Sequence, residues 1–365
     1  MRYAARSGFH SPYTYAAKLM PPARFDLTSS AVRTVSLREL PVTFDELELS
    51  SSAPYGDSLL LEQLAERTGV PAECIVPTIG TSLANHLALS ALFDPGDEVL
   101  IEGPTYDPLL HIAGLLGAAV CRFARRAENN FAIDPEDVRG AITARTRVIV
   151  ICNLHNPTSA QVDDDTLRSI GRMAETVGAR VLVDEVYREA VWGASQGHAL
   201  SLGENFVVTS SLTKAYGLGG LRCGWILAER VLASRIRKMQ DLFGSTGMPI
   251  AERLGAIALG SIKLLESRAR LCLEANRAAA AEILSPRSDL QLKIPAYGTT
   301  LAPRLLSGEV VDLCALLRSK YEVGVVPGFR FEMPEHFRIG LGGDPAVTRE
   351  SLLRLGGGLD EFGAR

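Results

Sequence analysis

The fold of this chain is decided by the stretch Val181-Leu-Val-Asp-Glu-Val-Tyr187. This run of apolar β-formers leads into Asp184, which predicts that Asp184 lies at the carboxyl end of a buried strand. Ligands of open α/β sheets bind at that edge, and a carboxylate there can keep a ring nitrogen protonated. Tyr187 would face the opposite side of a continued strand, so it can join this edge only if the chain turns after Val186.

A second stretch, Ser210-Ser-Leu-Thr-Lys-Ala-Tyr-Gly-Leu-Gly-Gly-Leu-Arg222, follows the predicted strand Phe206–Ser210. Lys214 can therefore enter a cleft from a strand end and form a Schiff base. Its amine becomes nucleophilic only when it is desolvated or close to positive charge. Arg222 can supply that charge and also clamp a phosphate through two parallel hydrogen bonds. Taken alone, Lys214 is more often a surface lysine; together with Asp184 and Arg222 it indicates a pyridoxal phosphate site.

Length and charge narrow the class of protein. At 365 residues the chain is longer than one compact core usually is, so two lobes are expected. The formal net charge of −4 provides no general attraction to nucleic acid or to an anionic membrane. The sequence has neither a secretory signal pattern nor an apolar run of membrane-spanning length, which predicts a cytoplasmic protein.

The cysteines and histidines do not form a recognisable metal site. Six cysteines are scattered without a CxxC pair, and none of the six histidines stands at ligand spacing from them. We interpret the cysteines as reduced residues and expect no metal.

Short β-rich runs alternate with helical runs, which predicts a mostly parallel central sheet covered on both faces. A helix is expected over residues 57–69, ending at a glycine. The further candidate strands are Cys74–Pro77, Glu98–Glu102, Ala119–Phe123, Val148–Cys152, Ala179–Asp184, Phe206–Ser210 and Gly224–Ala228, and the candidate helices are Ser82–Leu92, Pro108–Leu116, Asp134–Ala141, Asp164–Thr176 and Arg230–Phe243.

The character of the sequence changes after Pro249, where long helical segments rich in alanine, leucine and arginine begin. We expect a second, smaller α+β lobe beyond them. The predicted division is an N-terminal arm over 1–45 that joins the small domain, a large cofactor-binding domain over 46–250, connecting helices over 251–284, and a small C-terminal domain over 285–365. The arm is expected either to complete the small lobe or to cover the site.

A phosphate seat is predicted at Gly80-Thr81-Ser82, because the backbone N–H groups at the start of a helix attract anions. The alternative is an ordinary serine N-cap, which opens helices of every function. Ser211 can add a hydroxyl to the same anion.

Two polar side chains follow other strand ends. Tyr106 comes after a strand and a proline turn, so its ring can stack on a flat heteroaromatic cofactor; ordinary packing is the alternative. Asn156 can direct its amide at the phenolic oxygen of such a cofactor, although Asn-Pro by itself is only a turn signal. His155 is interpreted as structural.

Arg338 lies in a short apolar strand near the C-terminus. A half-buried arginine needs an anionic partner. A substrate carboxylate would fit its bidentate geometry, and a salt bridge to Glu332 or Glu335 is the equal alternative.

Taken in order, these residues resemble the class I/II aminotransferases, which are fold-type I pyridoxal phosphate enzymes. The resemblance runs from about Tyr55 to Arg338. It rests on Gly80-Thr-Ser, Tyr106, Asn156-Pro-Thr, Asp184-Glu-Val-Tyr187, Ser211-Leu-Thr-Lys214, Arg222 and Arg338.

The resemblance implies a role for each residue of the site. Lys214 would carry pyridoxal 5'-phosphate and shuttle the proton, and Asp184 would pair with the pyridine nitrogen. Tyr187 and Asn156 would contact the phenolic oxygen, and Tyr106 would stack on the ring. The phosphate would be held by Gly80, Thr81, Ser82, Ser211 and Arg222. Arg338, with Asn156 beside it, would bind the substrate.

The resemblance also implies a homodimer, in which Tyr55 would reach the phosphate of the neighbouring subunit. Two features depart from the usual pattern. Ser159 stands where the family usually has glycine, and the N-terminal region is more similar to a branch of capreomycidine synthase-like enzymes.

Three functions follow as alternatives. The first is an aminotransferase that moves an amino group from an α-amino acid to a 2-oxo acid through a Lys214 Schiff base. The second is another reaction on the same cofactor: elimination, cyclisation or decarboxylation. The third is a nucleotide-binding dehydrogenase or binding module built around Gly217–Gly224, which lacks the strand–GxGxxG–helix setting and ranks lowest.

Overall fold

The protein is described from a computed structural model that covers residues 22–47, 49, 53, 55–192 and 197–364. In chain order its strands are β1 Phe25–Asp26, β2 Ile75–Ile79, β3 Glu98–Gly103, β4 Ala119–Ala124, β5 Thr146–Cys152, β6 Arg180–Asp184, β7 Phe206–Ser211, β8 Cys223–Leu227, β9 Leu290–Gln291, β10 Thr300–Leu301, β11 Arg304–Leu305, β12 Val323–Gly324, β13 Val326–Pro327 and β14 Phe337–Gly340. Its α-helices are α1 Ser58–Thr68, α2 Gly80–Leu92, α3 Asp107–Leu115, α4 Pro135–Ala141, α5 Asp164–Thr176, α6 Arg230–Gly244, α7 Pro249–Gly260, α8 Ile262–Leu284, α9 Val310–Lys320 and α10 Pro345–Gly363.

Seven strands form the central sheet in the order β2-β8-β7-β6-β5-β3-β4. Strand β8 runs antiparallel to both of its neighbours, and the remaining pairs are parallel. The mostly parallel α/β fold predicted from the sequence is therefore confirmed. Every candidate strand and helix is present, with ends that differ by one or two residues at most.

Alternate residues of each central strand pack against different helical layers. Ile149 and Ile151 of β5 join the core that contains helices α1, α5 and α8, whereas Val148 and Val150 join the core that contains α2, α3 and α6. Both faces of the strand are buried, which explains why its sequence reads as a continuous apolar run. In β5 the polar side chains Thr146 and Arg147 are thereby confined to the start of the strand.

The second lobe contains short strands and helices from the C-terminal part of the chain. Strands β10, β14 and β13 form an antiparallel sheet, and β9 pairs with β11. Strand β1 of the N-terminal arm pairs in parallel with β12, so the arm adds to this lobe. Residues 1–21 of the predicted arm lie outside the described residues. The boundaries between the four predicted segments stay a prediction.

No helix in the described part of the chain has the length and apolarity needed to cross a membrane. All six cysteines are free thiols. Within the same ranges, no group of three or more His, Cys, Asp and Glu side chains is placed to hold a metal ion. The predicted cytoplasmic location stays a prediction.

Candidate active site

Asp184 is the last residue of β6 and is 3% exposed. Its two carboxylate oxygens accept hydrogen bonds from Asn85 Nδ2 at 2.8 Å and from the backbone N–H of Val186 at 3.1 Å. Burial raises the pKa of Asp184 to about 6, and these hydrogen bonds and the Lys214 charge oppose that rise. The carboxylate is thus held in place by groups that favour its charged form.

Sequence reasoning missed Asn85. It lies on α2, and its side-chain oxygen accepts a hydrogen bond from Thr209 Oγ1 at 2.6 Å. One signal was available, because Asn85 stands within the mostly apolar run of the predicted helix Ser82–Leu92. In the structure it is buried, as is Thr81 one turn earlier. Buried polar groups need partners, and the neighbouring strand end offers Asp184.

Lys214 follows β7 and approaches the same edge of the sheet. Its Nζ donates a hydrogen bond to Ser30 Oγ at 2.9 Å, and it lies 5.7 Å from the centre of the Tyr187 ring. Burial lowers the pKa of Lys214 to about 8; the charges of Arg338 and Arg222 act in the same direction, and that of Asp184 opposes them. A substantial fraction of the amine is therefore neutral near physiological pH.

The turn that the sequence required after Val186 is present. The N–H of Arg188 bonds to Glu185 O at 2.9 Å, which brings Tyr187 back toward the strand edge. Tyr187 is 5% exposed and donates a hydrogen bond to Ser30 Oγ at 3.0 Å. Burial raises the pKa of Tyr187, so its hydroxyl is a proton donor in this position.

The structure decides between the phosphate seat and the serine N-cap as interpretations of Gly80-Thr81-Ser82. Helix α2 begins at Gly80, its N-cap is Ile79, and no side chain caps it, so the serine N-cap alternative is wrong. Thr81 Oγ1 donates a hydrogen bond to Ser211 Oγ at 2.8 Å, whereas Ser82 is exposed on the first turn. Two hydroxyls and the free N–H groups of the helix start thus lie together.

The guanidinium of Arg222 lies directly over Gly80. Its Nη2 donates to Ile79 O at 3.4 Å and its Nη1 to Gly219 O at 3.3 Å. A Cβ atom on residue 80 would collide with this guanidinium, and the φ of Gly80 is +74°, so only glycine fits here. Among the described residues Arg222 makes no salt bridge to a carboxylate, so its charge is available to an anion.

Arg338 on β14 is 5% exposed. Its Nη1 donates to Asn156 Oδ1 at 3.1 Å and its Nη2 to Thr28 O at 2.7 Å, while the buried Nε makes no hydrogen bond within the described chain. The guanidinium carbon lies 5.0 Å from the centre of the Phe331 ring. A buried cation whose partners in the described chain are neutral favours an additional, anionic partner.

The salt-bridge alternative for Arg338 is wrong. Glu332 pairs with Arg122 at 2.6 Å, and Glu335 pairs with Arg304 at 2.6 Å. Both glutamates are exposed at the surface.

The remaining candidates lie at different distances from this cluster. Tyr106 is half-buried at the start of α3, where burial, and after it the proximity of Tyr187, raise its pKa. Asn156 is buried and linked to Arg338. Tyr55 is 41% exposed and donates a hydrogen bond to Asp241 on α6 at 3.0 Å, so within the described chain it belongs to the surface.

The interpretation of His155 as structural is confirmed. Its Nε2 lies 3.0 Å from Pro104 O and its Nδ1 lies 2.7 Å from Thr158 Oγ1. Since a carbonyl only accepts, Nε2 carries the proton and Nδ1 accepts from the threonine. Burial and the Arg125 charge hold the pKa of His155 well below its usual range.

Ser159, which stands where the resemblance leads one to expect glycine, adopts a left-handed backbone with φ 57°. Its N–H bonds to His155 O at 2.7 Å, and its hydroxyl donates to Thr300 O at 2.8 Å. The turn after Asn156 is therefore closed by hydrogen bonds despite the unusual residue.

Sequence reasoning also missed Ser30. It lies in the N-terminal arm, is 8% exposed, and its hydroxyl joins Lys214 to Tyr187. No local pattern marks it, because its partners lie more than 150 positions away in the chain.

A buried lysine amine, a buried carboxylate and an anion seat gathered at the strand ends of a mostly parallel sheet define a pyridoxal phosphate enzyme of fold type I. The sequence model of the family "Aminotransferase class I and II" matches residues 45–355. The chain belongs to this family.

Relatives with different activities are similar to this chain. Capreomycidine synthase from Streptomyces vinaceus is 31% identical over 336 residues, which cover 87% of this chain and 85% of that protein. An aspartate aminotransferase from Streptomyces avermitilis is 27% identical over 74% of this chain and 70% of its own length.

Solved structures confirm the fold. A pyridoxal phosphate-dependent aminotransferase from Streptococcus suis superposes with a TM-score of 0.88 at 27% identity and covers 93% of this chain and 94% of its own. The pyridoxal phosphate-dependent cyclase OrfR superposes with a TM-score of 0.86 at 25% identity and covers 98% of both chains.

Pyridoxal 5'-phosphate is accordingly the cofactor of this chain's family. The residues present fit it: the seat at Gly80 admits no side chain, Arg222 lacks a carboxylate partner among the described residues, and Asp184 and Lys214 are buried nearby.

We expect the Lys214 amine to titrate with a midpoint of about pH 8 in the protein without cofactor. The pH dependence of its acetylation by acetic anhydride, followed by peptide mass spectrometry, measures this midpoint. Arg338→Gln removes a positive charge that faces Lys214. Because loss of this repulsion favours the ammonium form, the midpoint should rise. Arg304→Gln is the control, because Glu335 pairs with that arginine. A midpoint left unchanged by Arg338→Gln would contradict the predicted influence of Arg338.

Proposed function

We propose that the protein is a pyridoxal phosphate-dependent aminotransferase that moves an amino group from an α-amino acid to a 2-oxo acid. The observation that carries this proposal is the position of the Lys214 amine. It lies at a strand end among Asp184, Arg338 and Arg222, with a pKa lowered to about 8. An amine that loses its proton near neutral pH can attack an aldehyde and afterwards act as a general base.

The groups around Lys214 suit the parts of the cofactor. Asp184 would keep the ring nitrogen protonated, Tyr187 and Asn156 would bond the phenolic oxygen, and Tyr106 would cover the ring. The phosphate would be held by Gly80, Thr81, Ser82, Ser211 and Arg222. When bound, pyridoxal phosphate accepts the electrons of a bond broken at the α-carbon of an amino acid.

Arg338 would bind the α-carboxylate of the substrate, with Asn156 beside it. Its Nε lacks a partner within the described chain, and its two Nη atoms bond only neutral oxygens. A hydrogen bond to a charged group is worth about 1.5–3 kcal/mol, and more where the charge would otherwise stay buried and unpaired. The carboxylate would thus fix the α-carbon close to the Lys214 amine, which would carry the proton.

The comparisons also support a second candidate reaction. The similarity to capreomycidine synthase extends over 87% of this chain, and the cyclase OrfR shares its fold over 98%. Loss of a group from the β-carbon followed by ring closure begins with the same removal of the α-proton. The residues described above would serve both reactions, so the products distinguish them.

Lys214 is expected to hold the cofactor covalently. Borohydride should fix the cofactor to the peptide that contains Lys214, and Lys214→Ala should lose this adduct. The rate of Lys214→Ala should fall about 10²–10⁴-fold, as expected for a missing general base. Lys263→Ala removes an exposed lysine of α8 and serves as the control. Persistence of the adduct in Lys214→Ala, seen by peptide mass spectrometry, would rule out the attachment site.

The fate of the amino nitrogen tests the reaction itself. With ¹⁵N-labelled amino acids and unlabelled 2-oxo acids, we expect the label to appear in the newly formed amino acid, because transamination transfers the nitrogen. A panel that includes amino acids with a leaving group on the β-carbon covers the second reaction. Label retained in a dehydrated or cyclic product, and absent from the acceptor, would replace the aminotransferase proposal by the cyclase.

We also propose a homodimer. Support comes from exposed apolar side chains near Tyr55 on and after the end of α6: Leu242 is 78% exposed, Phe243 55% and Met248 42%. Such clustered apolar surface usually marks an interface, and two-fold dimers are the commonest oligomers. In the dimer Tyr55 would reach the phosphate seat of the other subunit.

Sedimentation at working concentration should show a dimer. Leu242→Asp combined with Phe243→Asp should shift the protein toward the monomer and reduce turnover, because two charges would be buried in the interface. Leu353→Asp places a charge on an exposed leucine of α10 and is the control. A fully active monomer would remove the basis for placing Tyr55 across an interface.

A further inference from the structure

The N-terminal arm reaches the centre of the site between the two lobes. The N–H of Gly340 on β14 bonds to Leu27 O at 2.7 Å, and the N–H of Val32 bonds to Lys214 O at 2.9 Å. Between these two anchors lies Ser30, whose carbonyl accepts a hydrogen bond from Thr299 Oγ1 at 2.8 Å. The backbone of the arm is therefore held on both sides of Ser30.

The side chain of Ser30 contacts two reactive groups. Its Oγ accepts hydrogen bonds from Lys214 Nζ at 2.9 Å and from the Tyr187 hydroxyl at 3.0 Å. A hydroxyl has two acceptor lone pairs and one hydrogen. While Lys214 is an ammonium, both lone pairs are used. Once Lys214 is neutral, the Ser30 hydrogen can rotate onto its lone pair, while Tyr187 still donates to Ser30.

We propose that Ser30 is a positioning residue for Lys214, whose hydroxyl changes from acceptor to donor and so holds the amine beside Tyr187 in both of its protonation states. This inference rests on the proposed role of Lys214 as the attachment and proton-carrying residue. It gives a side chain of the arm a role at the amine, beside the backbone contact that Thr28 O of the arm makes with Arg338.

The charges around the amine make such a partner necessary. Lys214 faces Arg338 from β14, Arg222 from the loop before β8, Asp184 from β6, and the thiol of Cys152 from β5. Two of these groups repel the ammonium. Within the described chain, the neutral Ser30 hydroxyl is the group that hydrogen-bonds Nζ, and hydrogen bonds to charged donors are the strong ones.

Removal of the hydroxyl should affect the ammonium more than the neutral amine, because the ammonium forms the stronger hydrogen bond. In Ser30→Ala the acetylation midpoint of Lys214, measured without cofactor, should fall below that of the unmodified protein by about half a unit to one unit. With cofactor bound, kcat should fall about tenfold because the amine is less well oriented, while KM for the amino acid stays within about twofold.

Two variants separate this role from general support of the arm. Ser30→Thr keeps the hydroxyl and should restore both the midpoint and most of kcat. Ser29→Ala removes the neighbouring, exposed serine, whose hydroxyl bonds to Ala31 of the arm, and should change neither. Thermal unfolding of each variant identifies any loss of the fold.

An unchanged midpoint and kcat in Ser30→Ala would overturn the proposal. So would a folded Ser30→Thr that behaves like Ser30→Ala, or a Ser29→Ala that shows the same losses. If Ser30→Thr does not fold, Ser30→Ala and Ser29→Ala decide the outcome. The acetylation midpoint is measured without cofactor. It therefore tests the role of Ser30 even if Lys214→Ala still forms the borohydride adduct and the proposed function fails.

Discussion

The structure depends on one electrostatic constraint, which is the burial of the Lys214 amine among two arginines and one carboxylate. Burial, Arg338 and Arg222 all lower its pKa, and Asp184 raises it. Since an isolated buried charge is costly, the elements that carry these groups must keep fixed positions relative to one another. The central sheet provides this rigidity, because its strands are packed on both faces by apolar side chains and their carboxyl ends converge.

A shell of neutral polar groups surrounds these charges. Asn85 holds Asp184, Asn156 holds Arg338, and Ser30 holds Lys214. Each comes from a different part of the chain, namely α2, the turn after β5 and the N-terminal arm. Because buried polar groups are expensive when they are left unpaired, this shell links the geometry of the reactive groups to the packing of both lobes.

A common framework is compatible with more than one reaction. Capreomycidine synthase, an aspartate aminotransferase and a structurally similar cyclase all resemble this chain over most of its length. Removal of an α-proton needs a base at the α-carbon and an electron acceptor, which the sheet edge would position under the proposed function. The groups that decide what happens next must contact the rest of the substrate. From the sequence, the N-terminal arm and the turn around Ser159 are predicted to depart from the usual family pattern.

The sequence by itself determined which segments of the large domain form strands and helices, with ends correct to one or two residues, because strands buried on both faces and amphipathic helices leave periodic patterns. It also determined the candidates Asp184 and Lys214, since one ends such a strand and the other follows one closely, and Arg222 as a cation in the segment after Lys214. Local sequence could not decide between a salt bridge and a free anion site at Arg338, nor between a serine cap and a helix start at Gly80. Only the tertiary structure decided the question at Arg338, because it pairs Glu332 with Arg122 and Glu335 with Arg304. Ser30 and Asn85 likewise acquire their roles from partners about 100 or more positions away, because hydrogen bonds depend on distance in space and not on distance along the chain.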